Sequence, residues 1–427
     1  MEYHKYENVA YHLHTIKTDK FKTVTVKVNF KRKLEKKDIT YRNLLADVLL
    51  ESSLKYPSRR DIEIKTEDLY NLFVKSNTYL SGNYMIMSFD CIFLNEAYTE
   101  TGMLKESLDF LMEFLFHPNV VKKRFEATNF KIAKKALEEQ LNSLEDNYGR
   151  YSMYRLLEEM DKNALFSLRP IGYLEDLQEI DESNLYPYYE SVLSSDLVDI
   201  FVIGNIDSEK VQQLFLENFP INTLKKPAIS HYLEPLKPRR MLKTIKEKKD
   251  INQSHLLIGC KIDSLSEFEK KYVMNVYNFI LGGGTDSKLF HNVRELNSLC
   301  YSIHSTYQPT SNLLIIKAGI DASSYKKAVS LIKKELVNME KGNFEESDIE
   351  KAKITYLSAF DELEDSPSSI ISTYISHEYL GYDMLEERKK KIHEVTKEMI
   401  VSVAKKVHAD TVYLLEGGEH NEANEDE

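Results

Sequence analysis

The chain has 427 residues, 42% of them hydrophobic and 29% charged, with a formal net charge of −11. That length exceeds one typical core and points to two or more domains, the composition is that of a soluble globular protein, and the acidity argues against nucleic acid, whose phosphates call for a basic surface. No apolar run approaches the ~20 residues that span a bilayer. The opening MEYHKYENVAYHLH lacks a basic stretch followed by an apolar one, so a cytoplasmic location is expected. Cys91, Cys260 and Cys300 lie far apart in apolar strand-like segments, which fits reduced core thiols.

In chain order, residues 21–30 (FKTVTVKVNF) alternate like a half-buried strand. A helix is predicted over Tyr41 to Leu54, then strands over Thr78 to Leu80 and Tyr84 to Leu94, and a helix over Leu104 to Phe116. A longer helix from Val121 runs into Leu144-Glu145-Asp146, and the β-rich Leu197 to Ile203 closes the series. The same order then recurs. Strand Ser254 to Ile262 leads to helix Glu267 to Leu281, strands Tyr301 to Thr306 and Leu313 to Ile320, and helix Tyr325 to Lys341. A helix from Glu346 ends in Leu363-Glu364-Asp365, and Thr411 to Leu415 closes. The two Leu-Glu-Asp phrases are 363 − 144 = 219 positions apart, so two copies of one unit account for nearly the whole chain.

These patterns predict an α+β fold of two duplicated domains, each a largely antiparallel sheet packed with helices, joined as a hinged clam. The expected boundaries are 1–221, a Pro- and charge-rich linker 222–249, 250–416, and an acidic, disordered tail 417–427.

Hydrolytic chemistry is harder to find. A zinc site needs three protein ligands, often two His one helical turn apart with a Glu between them. None of the twelve histidines stands at i, i+4 to another. His12 and His14 share one face of an amino-terminal strand; such a pair can bind a metal weakly, but an exposed, solvated strand face is the expectation. No G-x-S-x-G elbow occurs. Gly282-Gly283-Gly284-Thr285-Asp286-Ser287-Lys288 lacks the Gly-Lys-Ser/Thr ending of a phosphate loop and follows a helix, so a left-handed helix end explains the glycines better.

The stretch Gln253 to Ile320, with QSHLLIGCKI followed by ILGGGTDSKLFHNVRELNSLCYSIHSTY, resembles the carboxy-terminal domain of M16 (pitrilysin/insulinase-like) metallopeptidases. The matched positions are Gln253, Leu281, Gly282, Gly283, Gly284, Ser287, Leu289, Phe290, Arg294, Glu295, Tyr301 and Ser302. The resemblance implies the LuxS/MPP-like metallohydrolase architecture. It places the family's zinc helix at Tyr41 to Leu54, where Tyr56 to Arg59 sets the register at Leu44-Leu45-Ala46-Asp47-Val48. Both histidines are then replaced by apolar residues, Asp47 stands near the general base, and the third ligand corresponds to Glu138.

The resemblance is therefore to the zinc-less subunit of a bacterial heterodimeric M16 peptidase. It implies no catalytic residue and no cofactor in this chain alone, with zinc in a partner homologue and a peptide as substrate. Arg294, Tyr301 and the glycines Gly282, Gly283 and Gly284 would bind that peptide, Arg294 through planar charged hydrogen bonds and Tyr301 through its hydroxyl. The plainer reading pairs Arg294 with Glu295 or another acid and buries Tyr301 in the core. A non-enzymatic peptide-binding or assembly scaffold with the same fold is the rival function.

Overall fold

The structure is a computed structural model that describes residues 1–221 and 228–417. Part of the predicted linker and nearly all of the predicted tail lie outside the described residues. The chain forms two compact units: Met1–Ser143 with Arg169–His231 and Asp365–Ser372, and Leu144–Leu168 with Tyr232–Glu364 and the chain from Thr373 on.

The first unit carries strands β1 (Glu2–Glu7), β2 (Tyr11–Lys17), β3 (Thr23–Lys33), β4 (Phe73–Ser81) and β5 (Tyr84–Leu94). After a two-residue ladder, β6 (Val120–Val121) with β7 (Arg124–Phe125), comes β8 (Leu197–Gly204). The main sheet has the order β1-β2-β8-β3-β5-β4. All its pairs are antiparallel except β2 with β8. The second unit carries β9 (Lys243–Lys248), β10 (Ser254–Ile262), β11 (Cys300–Gln308), β12 (Leu313–Ile320) and β13 (Val407–Glu416). Their order is β11-β12-β10-β13-β9, antiparallel except β13 with β9. Read from the parallel pair outwards, β2-β8-β3-β5-β4 repeats as β9-β13-β10-β12-β11. The predicted α+β duplication with largely antiparallel sheets is what folds.

Alternation in β3 explains the first sheet. Val24, Val26, Val28 and Phe30 point one way and are buried, while Thr25, Lys27, Asn29 and Lys31 share the other face. Register then adds Ser88, Asp90, Asp199, Phe201, His12 and His14 to that polar face.

The structure departs from the sequence reading at several places, among them strand β9, which lies inside the predicted linker 222–249. The helix predicted over 41–54 is Lys36–Glu51, because the buried Asp38, Ile39 and Thr40 extend its inner face before Tyr41. The Arg42 side chain is fully buried, with its guanidinium donating to the Phe30 carbonyl at 2.9 Å and to Asp196. The helix predicted from Val121 begins only at Ala127, after a turn in which Lys122 and Lys123 adopt positive φ. Most consequentially, the helix Tyr148–Met160, which the predicted boundaries put in the first domain, belongs to the second unit. There Leu156, Leu157 and Met160 pack on Leu257, Ile315 and Tyr413. The opposite face of that sheet carries Leu256, Ile258 and Cys260 against Tyr277 and Ile280. A Cβ at Gly259 would stand 2.2 Å from Met160 Sδ, so the missing side chain makes room for this helix.

Candidate functional site

The helix Lys36–Glu51 offers no zinc site. Leu44 and Val48 are core residues. The side chains that meet the edge strand β4 are Asn43 and Asp47, one turn apart: Thr78 Oγ1 donates to Asn43 Oδ1, and Ser76 Oγ to Asp47 Oδ1 at 3.4 Å. The polar pair therefore stands one residue before the register expected from sequence, and neither position is a histidine. Burial, followed by the neighbouring Glu51 charge, outweighs the Ser76 bond and pushes the Asp47 carboxyl up to about 6. Glu138, on the helix Ala127–Asn142, is exposed. Among the described residues no group of three His, Cys, Asp or Glu ligands gathers at this helix, so its donor set does not fit zinc.

The second set of expected residues lies entirely in the second unit. Helix Met274–Gly282 ends in the glycine triplet, but Gly283 caps it with φ −84° and ψ −4°, not in the left-handed conformation expected. Gly282 is there for closeness: a Cβ would stand 2.8 Å from the Ser305 backbone nitrogen and 2.6 Å from its Oγ, on edge strand β11. Ser287 Oγ then donates to the Gly284 carbonyl at 2.6 Å. A π-helical turn, Phe290–Glu295, follows, a feature found often at functional sites.

Arg294 is exposed and lies over the Phe290 ring, 4.5 Å from its centre. Its sequence neighbour Glu295 is engaged by His291 at 2.9 Å instead, and no acid among the described residues pairs with Arg294. Ser298, at φ +50°, turns the chain. Tyr301 follows with 64% of its surface exposed. Cys300 pairs with Ile320 and Ser302 with Gly319, so Tyr301 is the extra residue of a β-bulge, the device that re-aims a side chain out of a strand's alternation. The plainer sequence reading, an Arg294–Glu295 pair and a core tyrosine, is not what forms.

A third cluster, His12, His14 and Asp199, forms where the sequence pattern points to an exposed strand face. His14 is fully buried on β2, stacked on Phe201 with ring centres 4.3 Å apart, and Tyr3 of β1 meets its Nδ1 at 2.8 Å. His12 Nδ1 stands 3.0 Å from Asp199 Oδ1 and His14 Nε2 stands 3.9 Å from the same oxygen. Lys31 Nζ holds the other oxygen at 2.8 Å. Burial alone would raise the Asp199 carboxyl, but the two imidazoles and the Lys31 ammonium hold it well below the usual carboxylate range. A local signal existed in His-x-His, two imidazoles on one strand face, but Asp199 is 187 residues away.

Comparison with known proteins gives a consistent result. Residues 179–356 match the family model described as the peptidase M16 inactive domain. The chain is 30% identical over 412 residues to a probable inactive metalloprotease of Bacillus subtilis, YmfF, covering 95% of this chain and 96% of that one. It is 26% identical to a second protein of the same strain, YmxG, described as an uncharacterized zinc protease, over 67% of this chain and 70% of that one. Among solved structures, a conserved protein from Enterococcus faecalis superposes with a TM-score of 0.92 at 27% identity, covering 98% of this chain and 99% of that one. With the duplicated sheets in place and the ligand helix stripped of histidine, the chain belongs to the peptidase M16 family as one of its zinc-less, inactive homologues.

Proposed function

We propose that this chain is the non-catalytic half of a two-chain M16 peptidase, pairing with a zinc-bearing homologue and offering Arg294 and Tyr301 to the peptide. The observation that carries the reading is the bulge that turns Tyr301 out of edge strand β11. A tyrosine kept for packing has no need of it. An exposed edge strand can hydrogen-bond an extended peptide through its backbone, and a hydroxyl beside it can donate to a peptide carbonyl or to the oxyanion formed on attack. The unpaired guanidinium of Arg294 supplies a permanent charge next to that position. That Bacillus subtilis has both an inactive relative and one described as a zinc protease fits a division of labour between two chains.

The test is peptide cleavage by the chain mixed with a zinc-bearing homologue from its own source. Tyr301→Phe removes one donor from an exposed site and is expected to lower the rate by about 10²–10³ without changing the melting temperature. Arg294→Ala is expected to act similarly. Full activity in both variants would favour the scaffold reading.

A further inference from the structure

We infer that the first unit contains a binding site for one divalent transition-metal ion, formed by His12 Nδ1, His14 Nε2 and Asp199 Oδ1. It is separate from the degenerate helix and goes beyond the role proposed for Arg294 and Tyr301, which lie in the other unit.

Three observations carry this. First, it is the one group of three such ligands among the described residues, and all the donor atoms lie within 4.8 Å of one another. Bonds of about 2.0–2.1 Å to a tetrahedral ion put neighbouring donors roughly 3.3 Å apart; the two His–Asp separations, 3.0 and 3.9 Å, straddle that value. Second, His14 Nε2 is buried and has no hydrogen-bond partner among the described residues. A buried ring nitrogen left without a partner is costly, and coordination would satisfy it. Third, the surroundings orient the ligands. Tyr3 engages the other nitrogen of His14, the Phe201 ring fixes its plane, and Lys31 occupies the second oxygen of Asp199 so that one oxygen faces the imidazoles. Partners of this outer kind set tautomer and orientation in metal sites.

The second unit sharpens the point. Asp410 of β13 is also buried, and Lys261 of β10 stands 3.3 Å from it, while Lys31 of β3 stands 2.8 Å from Asp199. The diagonal is the same: Lys31 pairs with Leu197, two residues before Asp199, and Lys261 pairs with His408, two residues before Asp410. In the second unit the rest of the aspartate is met by Arg239, whose Nη1 stands at 2.6 Å. In the first unit two imidazoles approach the aspartate instead, and imidazoles can accept a metal where a guanidinium cannot. Two His and one carboxylate suit zinc, cobalt or nickel. His12 keeps 30% of its side chain exposed, which gives an ion a way in.

The experiment titrates the full chain, stripped with a chelator, with Co²⁺ and follows its visible absorption, then competes with Zn²⁺. One equivalent is expected, with a raised melting temperature. His14→Gln and the half-exposed His12→Gln should each abolish the cobalt spectrum, Tyr3→Phe should weaken binding by about tenfold to a hundredfold, and Asp47→Asn should leave it unchanged. Failure of folded wild-type protein to bind Co²⁺ or Zn²⁺, or binding that survives both histidine variants, would overturn the site. Neither result bears on Tyr301, because the readout needs no partner chain and no peptide.

Discussion

The two units put the same five-strand order to different electrostatic use. Each closes its sheet with a strand that carries a buried aspartate, and each sets a lysine on the neighbouring strand diagonally across from it. In the second unit the aspartate is the extra residue of a bulge in β13 and is fully engaged: Arg239 donates from its backbone nitrogen at 2.9 Å and from Nη1, and Thr411 Oγ1 donates at 2.8 Å. In the first unit the aspartate sits in regular register opposite Asn29 and His12, and the additional strand β1 brings Tyr3 to His14. A buried charge tolerates only partners that neutralise and hydrogen-bond it. One unit meets that demand with fixed cations, the other with groups able to change partner.

The largest effect should come from breaking the fixed arrangement. Asp410→Ala leaves Lys261 buried without its acid, and removing one member of a buried pair typically costs about 3–5 kcal/mol. Urea unfolding should show this loss equally with and without chelator. Asp199→Ala should also destabilise, but by more when Zn²⁺ is present than when it is chelated, because an ion bound only to the native state adds stability that the variant cannot receive. Equal losses under both conditions would mean that the two aspartates play one role.

The duplication was legible because alternation and helical periodicity are local signals, and they recur in Ser254–Ile262 as in Thr23–Lys33. What escaped was non-local. The amphipathic helix Tyr148–Met160 announces a buried face but not which sheet receives it. Reciprocally, Asp365–Ser372, after the second Leu-Glu-Asp phrase, belongs to the first unit. Strand β9 is KTIKEK; its charges suit a sheet edge and hide it in a linker-like sequence. The surrounding motif singled out Arg294 and Tyr301, and both side chains are exposed. The approach of His12 and His14 to Asp199 was not legible, since it depends on the parallel register of β2 and β8.

The helix after the first core strand gives the next comparison. Leu44, Leu45, Val48 and Leu49 are buried at the same spacing as Val276, Tyr277, Ile280 and Leu281 in the second unit. The residue before the last pair is Phe279 there and Asp47 here. With its carboxyl raised to about 6, Asp47 holds a proton more tightly folded than unfolded. Its stabilising contribution is complete below the ordinary value of about 3.9 and is lost as pH rises through 6. Asp47→Asn should therefore be nearly neutral at pH 4 and stabilise by up to about 2–3 kcal/mol at pH 7. Urea unfolding of wild type and variant at both pH values checks the sign. A variant less stable at pH 7 would mean that the ionised carboxylate is wanted there.

The smallest effects separate the glycines at the end of that helix. In the first unit the helix meets β4 through side chains, Asn43 and Asp47 to Thr78 and Ser76, and ends in Leu50, Glu51 and Ser52. In the second unit the helix backbone itself comes up against β11. Gly282→Ala would drive a methyl against the Ser305 backbone and is expected to cost about 1–3 kcal/mol. Gly284→Ala meets nothing nearer than the Phe279 ring at 3.8 Å. With no positive φ to oppose it, that change should stabilise by about 0.4–1 kcal/mol through the unfolded chain. Thermal melts of the two variants give the stabilities, and peptide cleavage with the zinc-bearing homologue gives the function. If Gly284→Ala raises the melting temperature and leaves cleavage intact, the triplet serves packing at Gly282, and peptide recognition rests on Arg294 and Tyr301. A stable Gly284→Ala protein that cleaves poorly would instead put the peptide backbone against this turn, where a methyl group has room in the free chain but not in the complex.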